Sequence, residues 1–231
     1  MLLQDLKYRN EYKHVMNKAQ AVILKSRLKA VMLPDENADE NGEYFIRSLY
    51  FDTYDNKAVG EKFDGVAYRE KWRIRFYNHD ASVIRLENKI KRINSCLKVS
   101  GEMTKDEVLK ILNKDYDFLK ESKEPLRQKF HRALACEGHV AKTITDYTRT
   151  PFVSALGNTR VTIDSDLRSP VVGLDIFDPD LPTVSVFPDE RCVLEVKYDE
   201  YIPEYIYNMI QQFDGTRTMS MSKYLSCRKF L

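Results

Sequence analysis

Hydrophobic and polar residues alternate along several segments of the chain, a pattern typical of β-strands whose two faces have different surroundings. In the segment 68–78, YREKWRIRFYN, Arg69, Lys71, Arg73 and Arg75 share one face, and large apolar side chains occupy the other. The pattern recurs in the segments 43–53, 81–90, 94–102, 142–150, 159–167 and 191–199. We therefore predict about eight strands in an antiparallel series.

Other segments have the apolar spacing of amphipathic helices. Asn17 with Gln20 and Thr104 with Glu107 have the spacing of capping boxes, each followed by an apolar stripe. Two further helices are predicted to begin at prolines, Pro125 and Pro203, with Gly215 ending the second. Strands and helices together indicate an α+β fold, in one domain over residues 1–231.

The two faces of these strands suggest how the sheet is arranged. A charged strand face most often points to solvent, so an ordinary two-layer sandwich stays open for any single strand. Here arginine-rich faces recur, and the opposite faces are bulky enough to be covered by helices. Helices packed outside would turn the charged faces inward, into a closed barrel. Because such an interior repels itself and is costly to desolvate, we expect a polyanion to fill it.

Composition narrows the classes of protein further. The chain has 231 residues, 43% of them hydrophobic, and a net charge of +2, so it can bury a core. Four widely spaced cysteines give no disulfide framework or zinc motif. The N-terminal segment lacks a signal-peptide core, and no run approaches the ~20 apolar residues of a membrane span. We expect a soluble, cytoplasmic protein with no membrane segment of its own.

A set of short motifs follows in order along nearly the whole chain. They are RNEYK (9–13), RSLYFDT (47–53), FDGVAYREKWRIRFYN (63–78), LENK (86–89), YTR (147–149), TRVTIDSDL (159–167), LEVKYD (194–199) and MSKY (221–224). Together they resemble the VTC domain, the polyphosphate polymerase domain of the triphosphate tunnel metalloenzymes. The resemblance implies eight antiparallel strands closed into a tunnel, whose basic lining holds a nucleoside triphosphate and a growing polyphosphate.

The resemblance also implies roles for individual residues in transfer of the ATP γ-phosphoryl group. The expected catalytic cations are Lys13, Arg73, Arg75, Lys89 and Arg149. The expected phosphate-binding residues are Lys98, Tyr147, Arg160, Lys197, Ser222 and Lys223. The expected ligands of Mn²⁺ or Mg²⁺ are Glu195, Glu87 and Glu11. One departure is Arg9, which stands where the sister branch of adenylate cyclases and thiamine triphosphatases has its first glutamate.

The chemistry agrees with these residue types. Phosphoryl transfer requires positioning and positive charge rather than a protein nucleophile, and arginines bind phosphates through two parallel hydrogen bonds. Two alternatives remain open: a triphosphate or polyphosphate hydrolase, and a non-catalytic module for polyphosphate, inositol phosphate or RNA. No nucleic acid is expected, because the aromatic residues lie opposite the cations. Any coupling to export would require a membrane protein as partner.

Overall fold

The computed structural model describes residues 9–93, 95–212 and 221–228, in which ten strands form one antiparallel sheet. The strands are β1 (Arg9–Met16), β2 (Leu33–Pro34), β3 (Tyr44–Thr53), β4 (Tyr68–Tyr77), β5 (Asp80–Arg92), β6 (Ser95–Met103), β7 (His139–Ser154), β8 (Thr159–Pro170), β9 (Thr183–Ser185) and β10 (Cys192–Tyr198). Eight of them close a barrel in the order β7-β3-β4-β5-β6-β1-β10-β8, because β8 also pairs with β7. The short strands β2 and β9 extend the sheet at β7 and β8.

Seven α-helices lie within the described part of the chain. They are α1 (Lys18–Lys29), α2 (Lys57–Phe63), α3 (Lys105–Leu112), α4 (Asp117–Lys120), α5 (Pro125–Ala135), α6 (Glu204–Gln211) and α7 (Lys223–Cys227). Both predicted capping boxes are confirmed, at Asn17–Gln20 and Thr104–Glu107. The predicted end of α6 at Gly215 lies outside the described residues. No described helix has the length and apolar character needed to cross a membrane.

Two apolar cores hold helices against the outside of the barrel. In the first, Trp72 and Ile74 of β4 pack with Val108 of α3 and Phe130 of α5. In the second, α1 and α6 cover the apolar faces of β8 and β10, where Leu24, Ile163, Leu194 and Ile206 meet. Burial of large aliphatic and aromatic side chains stabilises by about 1.5–3 kcal/mol each, so these cores fix the outer face of the strands. The predicted closed barrel with helices outside is confirmed.

The charged strand faces point the other way and line an enclosed channel, which we call the bore. On β4 the outward residues Trp72, Ile74 and Phe76 are buried under helices, whereas Arg73 and Arg75 contact side chains of other strands inside the barrel. Because side chains alternate along a strand, every second residue lines the bore and the residues between them pack in the outer core.

A β-bulge interrupts the alternation on β8. Strict alternation over the predicted strand 159–167 would place Asp166 on the same face as Asp164, but Asp166 has a φ of 49° and pairs with Arg168 at the surface. The register between β7 and β8 shifts at this point. As a result, Leu167 packs with Tyr147 and Cys227 instead of continuing the outer apolar face.

The short helix α7 packs against strands of the barrel rather than against the outer helices. Tyr224 stacks on the ring of Tyr50 with centroids 5.3 Å apart, and its hydroxyl donates to Asp52 at 2.7 Å. Ser222 caps the helix by accepting from the backbone N–H of Leu225. These contacts carry the motif MSKY into the bore, next to β3, β4, β7 and β8.

A buried ion pair on the outer face anchors a long loop. The guanidinium of Arg47 donates to both carboxylate oxygens of Asp146 at 2.8–3.2 Å, and also to the backbone oxygens of Ile176 and Asp178. Both charged side chains are almost fully buried. The pair therefore fastens the segment between β8 and β9 to the barrel, outside the bore.

Candidate functional site

The first cluster of charges in the bore is centred on Glu87 of β5. Arg73 Nε donates to Glu87 at 2.6 Å, and Lys98 of β6 contacts the other carboxylate oxygen at 2.7 Å. Arg73 also donates to the hydroxyl of Tyr50 at 2.9 Å. Burial would raise the pKa of Glu87, but Arg73, Arg75 and Lys98 hold it well below its usual range. Glu87 is therefore ionised and keeps its neighbouring cations in place.

Three cations from three different elements surround the ring of Tyr147. Arg75 of β4 donates to the Tyr147 hydroxyl at 2.9 Å and to Ser48 at 2.9 Å. The guanidinium of Arg149 lies 5.5 Å from the ring centroid, and the ammonium of Lys223 lies 4.7 Å from it. The closed barrel and α7 thus bring together residues that are far apart in the sequence.

The carboxylate of Asp164 on β8 binds two of these cations. Arg149 donates to its two oxygens at 2.7 and 2.9 Å, and Lys223 approaches to 2.5 Å. Burial would raise the pKa of Asp164, but the two cations lower it to about 2. Asp164 consequently orients Arg149 and Lys223 as a fixed pair of donors.

The last cluster alternates lysines and glutamates across β1, β5 and β10. Lys13 lies 3.0 Å from Glu11 and 3.1 Å from Glu195. Glu11 also binds Lys89 at 3.1 Å, and Glu195 binds Lys197 at 2.6 Å. Burial acts against charge on Glu195, yet Lys13 and Lys197 keep its pKa well below the usual range. The positive charge of Arg149 also lowers the pKa of Glu195, which links this cluster to the preceding one.

Positive charge exceeds negative charge along this lining. Lys71 donates to Ser222 at 3.0 Å but has no ion pair within the described residues. Burial, together with the nearby Lys89 and Lys13, lowers the pKa of Lys71 to about 7. Burial also lowers the pKa of Lys197, to about 8, despite its contact with Glu195. The bore is thus ready to receive an anion that would restore full charge to these lysines.

The family model of the VTC domain matches residues 8–231, almost the whole sequence. The chain belongs to the VTC domain family. The resemblance found in its motifs is confirmed. No curated protein matches this VTC domain in sequence.

Solved structures share the fold of this VTC domain. A putative adenylyl cyclase from Hippeastrum, described as having a dominant triphosphatase activity, matches with a TM-score of 0.58 and 16% identity, over 96% of this chain and 95% of that one. A putative adenylate cyclase from Bacillus halodurans matches with a TM-score of 0.53 and 13% identity, over 94% and 95% of the two chains. At these identities the likeness establishes the triphosphate tunnel fold alone.

The predicted site residues of the VTC domain occupy three kinds of position. All five expected catalytic cations lie in the clusters above. Of the expected phosphate-binding residues, Tyr147, Lys197 and Lys223 are also central. Arg160 lies near the start of β8, bound to Asp35 at 2.8 Å and to Tyr44, and the side chain of Lys98 is half exposed. Ser222 caps α7 and accepts from Lys71.

Sequence reasoning did not single out Lys71 or Tyr50 as part of the site. Lys71 shares the strand face of Arg73 and Arg75, so alternation alone was a sufficient signal. Tyr50 gave no such signal, because a tyrosine in a strand is ordinary core material. Its role depends on the register that places it opposite Arg73.

The carboxylates of the VTC domain differ in how well they could bind a divalent metal. Within the residues described, no three acidic, histidine or cysteine side chains converge into a metal site. Mg²⁺ and Mn²⁺, however, are commonly held by one or two carboxylates together with substrate phosphates. Glu11 and Glu195 fit this requirement, since both are ionised, buried in the bore and gathered around Lys13. Both oxygens of Glu87 are occupied in a separate cluster.

Proposed function

We propose that this VTC domain is an ATP-dependent polyphosphate polymerase. It transfers the γ-phosphoryl group of ATP, or of another nucleoside triphosphate, to a growing polyphosphate chain in the bore. The observation that carries this proposal is the convergence of Arg75, Arg149 and Lys223 around Tyr147. Cations from β4, β7 and α7 that meet in one enclosure match a ligand with several closely spaced negative charges.

The buried arginines suit the chemistry of phosphoryl transfer. Arg73, Arg75 and Arg149 are held by Tyr50, Ser48, Tyr147 and carboxylates, so their donors are oriented before a phosphate arrives. Preorganised donors stabilise the charge that develops on the transferring oxygens, and they act most strongly where water is excluded. In this proposal Lys13 and Lys89 complete the catalytic set. Bound phosphates are further contacted by Lys98, Tyr147, Arg160, Lys197, Ser222 and Lys223.

A divalent cation has a defined place in this proposal. Mn²⁺ or Mg²⁺, when bound, would neutralise negative charge on the phosphate oxygens. Glu195 and Glu11 would hold it, and Lys13, which now bridges them, would contact the phosphates instead. Glu87, kept as a third predicted ligand, acts first as the partner that orients Arg73.

A second candidate is hydrolysis of triphosphate or polyphosphate in the same bore. It is favoured by the structural likeness to the Hippeastrum protein described as having a dominant triphosphatase activity. The two reactions differ in the acceptor of the phosphoryl group, which is a phosphate chain in one and water in the other. Polyphosphate as the product therefore indicates the polymerase, and free phosphate indicates the hydrolase.

The test is incubation of the purified protein with ATP and Mn²⁺, followed by separate detection of polyphosphate and free phosphate. We expect polyphosphate, and we expect Arg73→Ala to abolish it. Lys110→Ala on the outer helix α3 is the matched control and should leave product formation unchanged. Free phosphate without polymer would establish the hydrolase instead. Binding of polyphosphate without turnover, unaffected by removal of divalent metal, would establish a binding module.

A further inference from the structure

The inner faces of β4 and β5 carry an ordered series of cross-strand pairs. From the middle of the barrel toward the end where β4 begins and β5 ends, the pairs are Arg73–Glu87, Lys71–Lys89 and Arg69–Lys91. The first pair joins opposite charges, whereas the next two place like charges directly opposite each other. Directly opposed like charges destabilise a sheet, so two in succession require another source of negative charge.

Among the described residues, carboxylates balance the positive charge of only some of these cross-strand pairs. Lys89 is bound by Glu11 at 3.1 Å. In the described part of the chain, Arg69, Lys71 and Lys91 make no ion pair. Arg69 is buried, and among the described residues its guanidinium donates to the backbone oxygen of Glu61, at 3.3 Å. A buried guanidinium without a counter-ion is costly, and a bound anion would balance its charge.

A fourth cation lies at the same end of the barrel. Lys62 belongs to α2, which packs beside β3 and β4. Burial and the proximity of Arg69 and Lys91 lower the pKa of Lys62 to about 8. Burial and Arg69 likewise lower the pKa of Lys91. Lys62, Arg69 and Lys91 are therefore close enough for their positive charges to interact. Together they form one positive surface at the end of the bore where β4 begins.

The opposite end of β5 is different. There Arg75 and Arg85 are also directly opposite each other, but Arg85 pairs with Glu102 of β6 at 2.8 Å, and Arg75 donates to Ser48 and to the hydroxyl of Tyr147. At this end side chains of the protein therefore supply partners for both arginines, whereas at the other end the described side chains supply no carboxylate for Arg69 or Lys91. The asymmetry distinguishes a ligand site from a general excess of basic residues.

We propose that Arg69 and Lys91, connected to the centre of the bore by Lys71, form a second anion site. It binds phosphate groups of a polyphosphate that extend beyond the triphosphate at the central cations. Arg73 lies four positions along the strand from Arg69, which places the two sites roughly 13 Å apart. That separation is about three times the contact distance of an ion pair, so a single phosphate group cannot contact both sites. This assignment rests on the proposed function, because it concerns the length of the same class of ligand.

The test compares two probes, tripolyphosphate and a long linear polyphosphate, by titration calorimetry without ATP or divalent metal. Lys91→Ala should weaken binding of the long polyphosphate about tenfold and leave that of tripolyphosphate unchanged. Lys91→Arg should restore the affinity. Arg85→Ala, which removes a cation from the other end of the same strand, is the matched control and should preserve the ratio of the two affinities.

Thermal unfolding of the free protein gives a second readout. Removal of an unbalanced cation should make Lys91→Ala at least as stable as the wild type, and its stabilisation by long polyphosphate should be smaller. Equal losses for both probes, or none for either, would overturn the inference. The inference would also be overturned if Lys91→Ala lost binding to anionic lipid vesicles but kept its affinity for long polyphosphate. If the protein makes no polymer from ATP but shows the selective loss, the second site stands and the polymerase proposal fails.

Discussion

Arg149 and Asp164 lie directly opposite each other on β7 and β8, and the guanidinium donates to both carboxylate oxygens, at 2.7 and 2.9 Å. The same carboxylate holds Lys223 from α7. One buried anion thus sets the orientation of two cations that face the centre of the bore. Removal of the Asp164 charge should lower the stability of the free protein and increase the stabilisation that a bound anion provides.

Asp164→Asn is expected to destabilise the free protein by about 3 kcal/mol, because Arg149 and Lys223 remain buried without their counter-ion. Tripolyphosphate should restore more stability to this variant than to the wild type, since it supplies the missing charge. Urea unfolding with and without tripolyphosphate measures both effects. Asp166→Asn, two residues along the strand but exposed, is the control and should change stability by less than about 0.5 kcal/mol. Similar behaviour of the two variants would contradict the role of Asp164.

The ion pair between Arg47 and Asp146 offers a contrast outside the bore. Asp146→Asn should also cost about 3 kcal/mol, because it leaves the buried Arg47 unpaired. Tripolyphosphate should stabilise this variant no more than it stabilises the wild type, since the pair lies on the outer face. Extra stabilisation by the ligand, seen in the same urea experiment, would mean that the outer pair is coupled to the bore.

Anion binding should depend on pH through Lys71. Burial and neighbouring lysines lower its pKa to about 7 in the free protein. A bound anion favours the charged form and raises that pKa, so binding takes up a proton. The affinity for tripolyphosphate should therefore be highest below about pH 7 and should fall as pH rises through it, by up to about tenfold per unit.

Calorimetry between about pH 6 and about pH 9, in buffers of different ionisation enthalpy, measures this proton uptake. Lys71→Arg stays charged throughout, so it should bind with a weaker dependence on pH. The difference between variant and wild type removes the titration of the ligand itself. Identical pH profiles would show that Lys71 is not the group that titrates.

Metal dependence should involve Glu195. Glu195→Gln is expected to raise the Mn²⁺ concentration needed for half-maximal turnover at least tenfold, the order of loss seen on removal of groups that support a metal site. Glu102→Gln, at the exposed end of β6, is the control and should leave the Mn²⁺ requirement unchanged. If Glu195→Gln also keeps the wild-type requirement, Glu195 is only an ion-pair partner of Lys13 and Lys197.

The sequence predicted the faces of β4, β5 and β10 correctly because these strands keep strict alternation through the barrel. Charged residues such as Arg73 and Glu195 are assigned to the inner face by the sequence alone, once outer helices are expected on the apolar side. The closed barrel itself followed from the expectation that helices cover the apolar faces of the strands, supported by the family motifs. Those arguments depend on local spacing, which the chain preserves.

Other features depend on contacts between distant segments and left no local pattern. Strand β1 was not predicted, although its Lys13 was expected in the site from the family resemblance. The bulge at Asp166 reverses the side-chain faces of β8, and alternation has no means to anticipate it. The partner of each cation, such as Glu87 for Arg73, is set by strand register and by the stagger of the barrel. The placement of α7 is equally non-local.

The carboxylates inside the bore have one more consequence. Because Glu11, Asp164 and Glu195 already bind Lys13, Arg149 and Lys223, an anion that contacts these three cations must compete with a bound carboxylate and not only with solvent. Chloride or another singly charged solute gains too little from that exchange to succeed. An anion with several closely spaced charges can replace several carboxylates at once. The protein's own carboxylates therefore make the bore selective for such anions over singly charged ions.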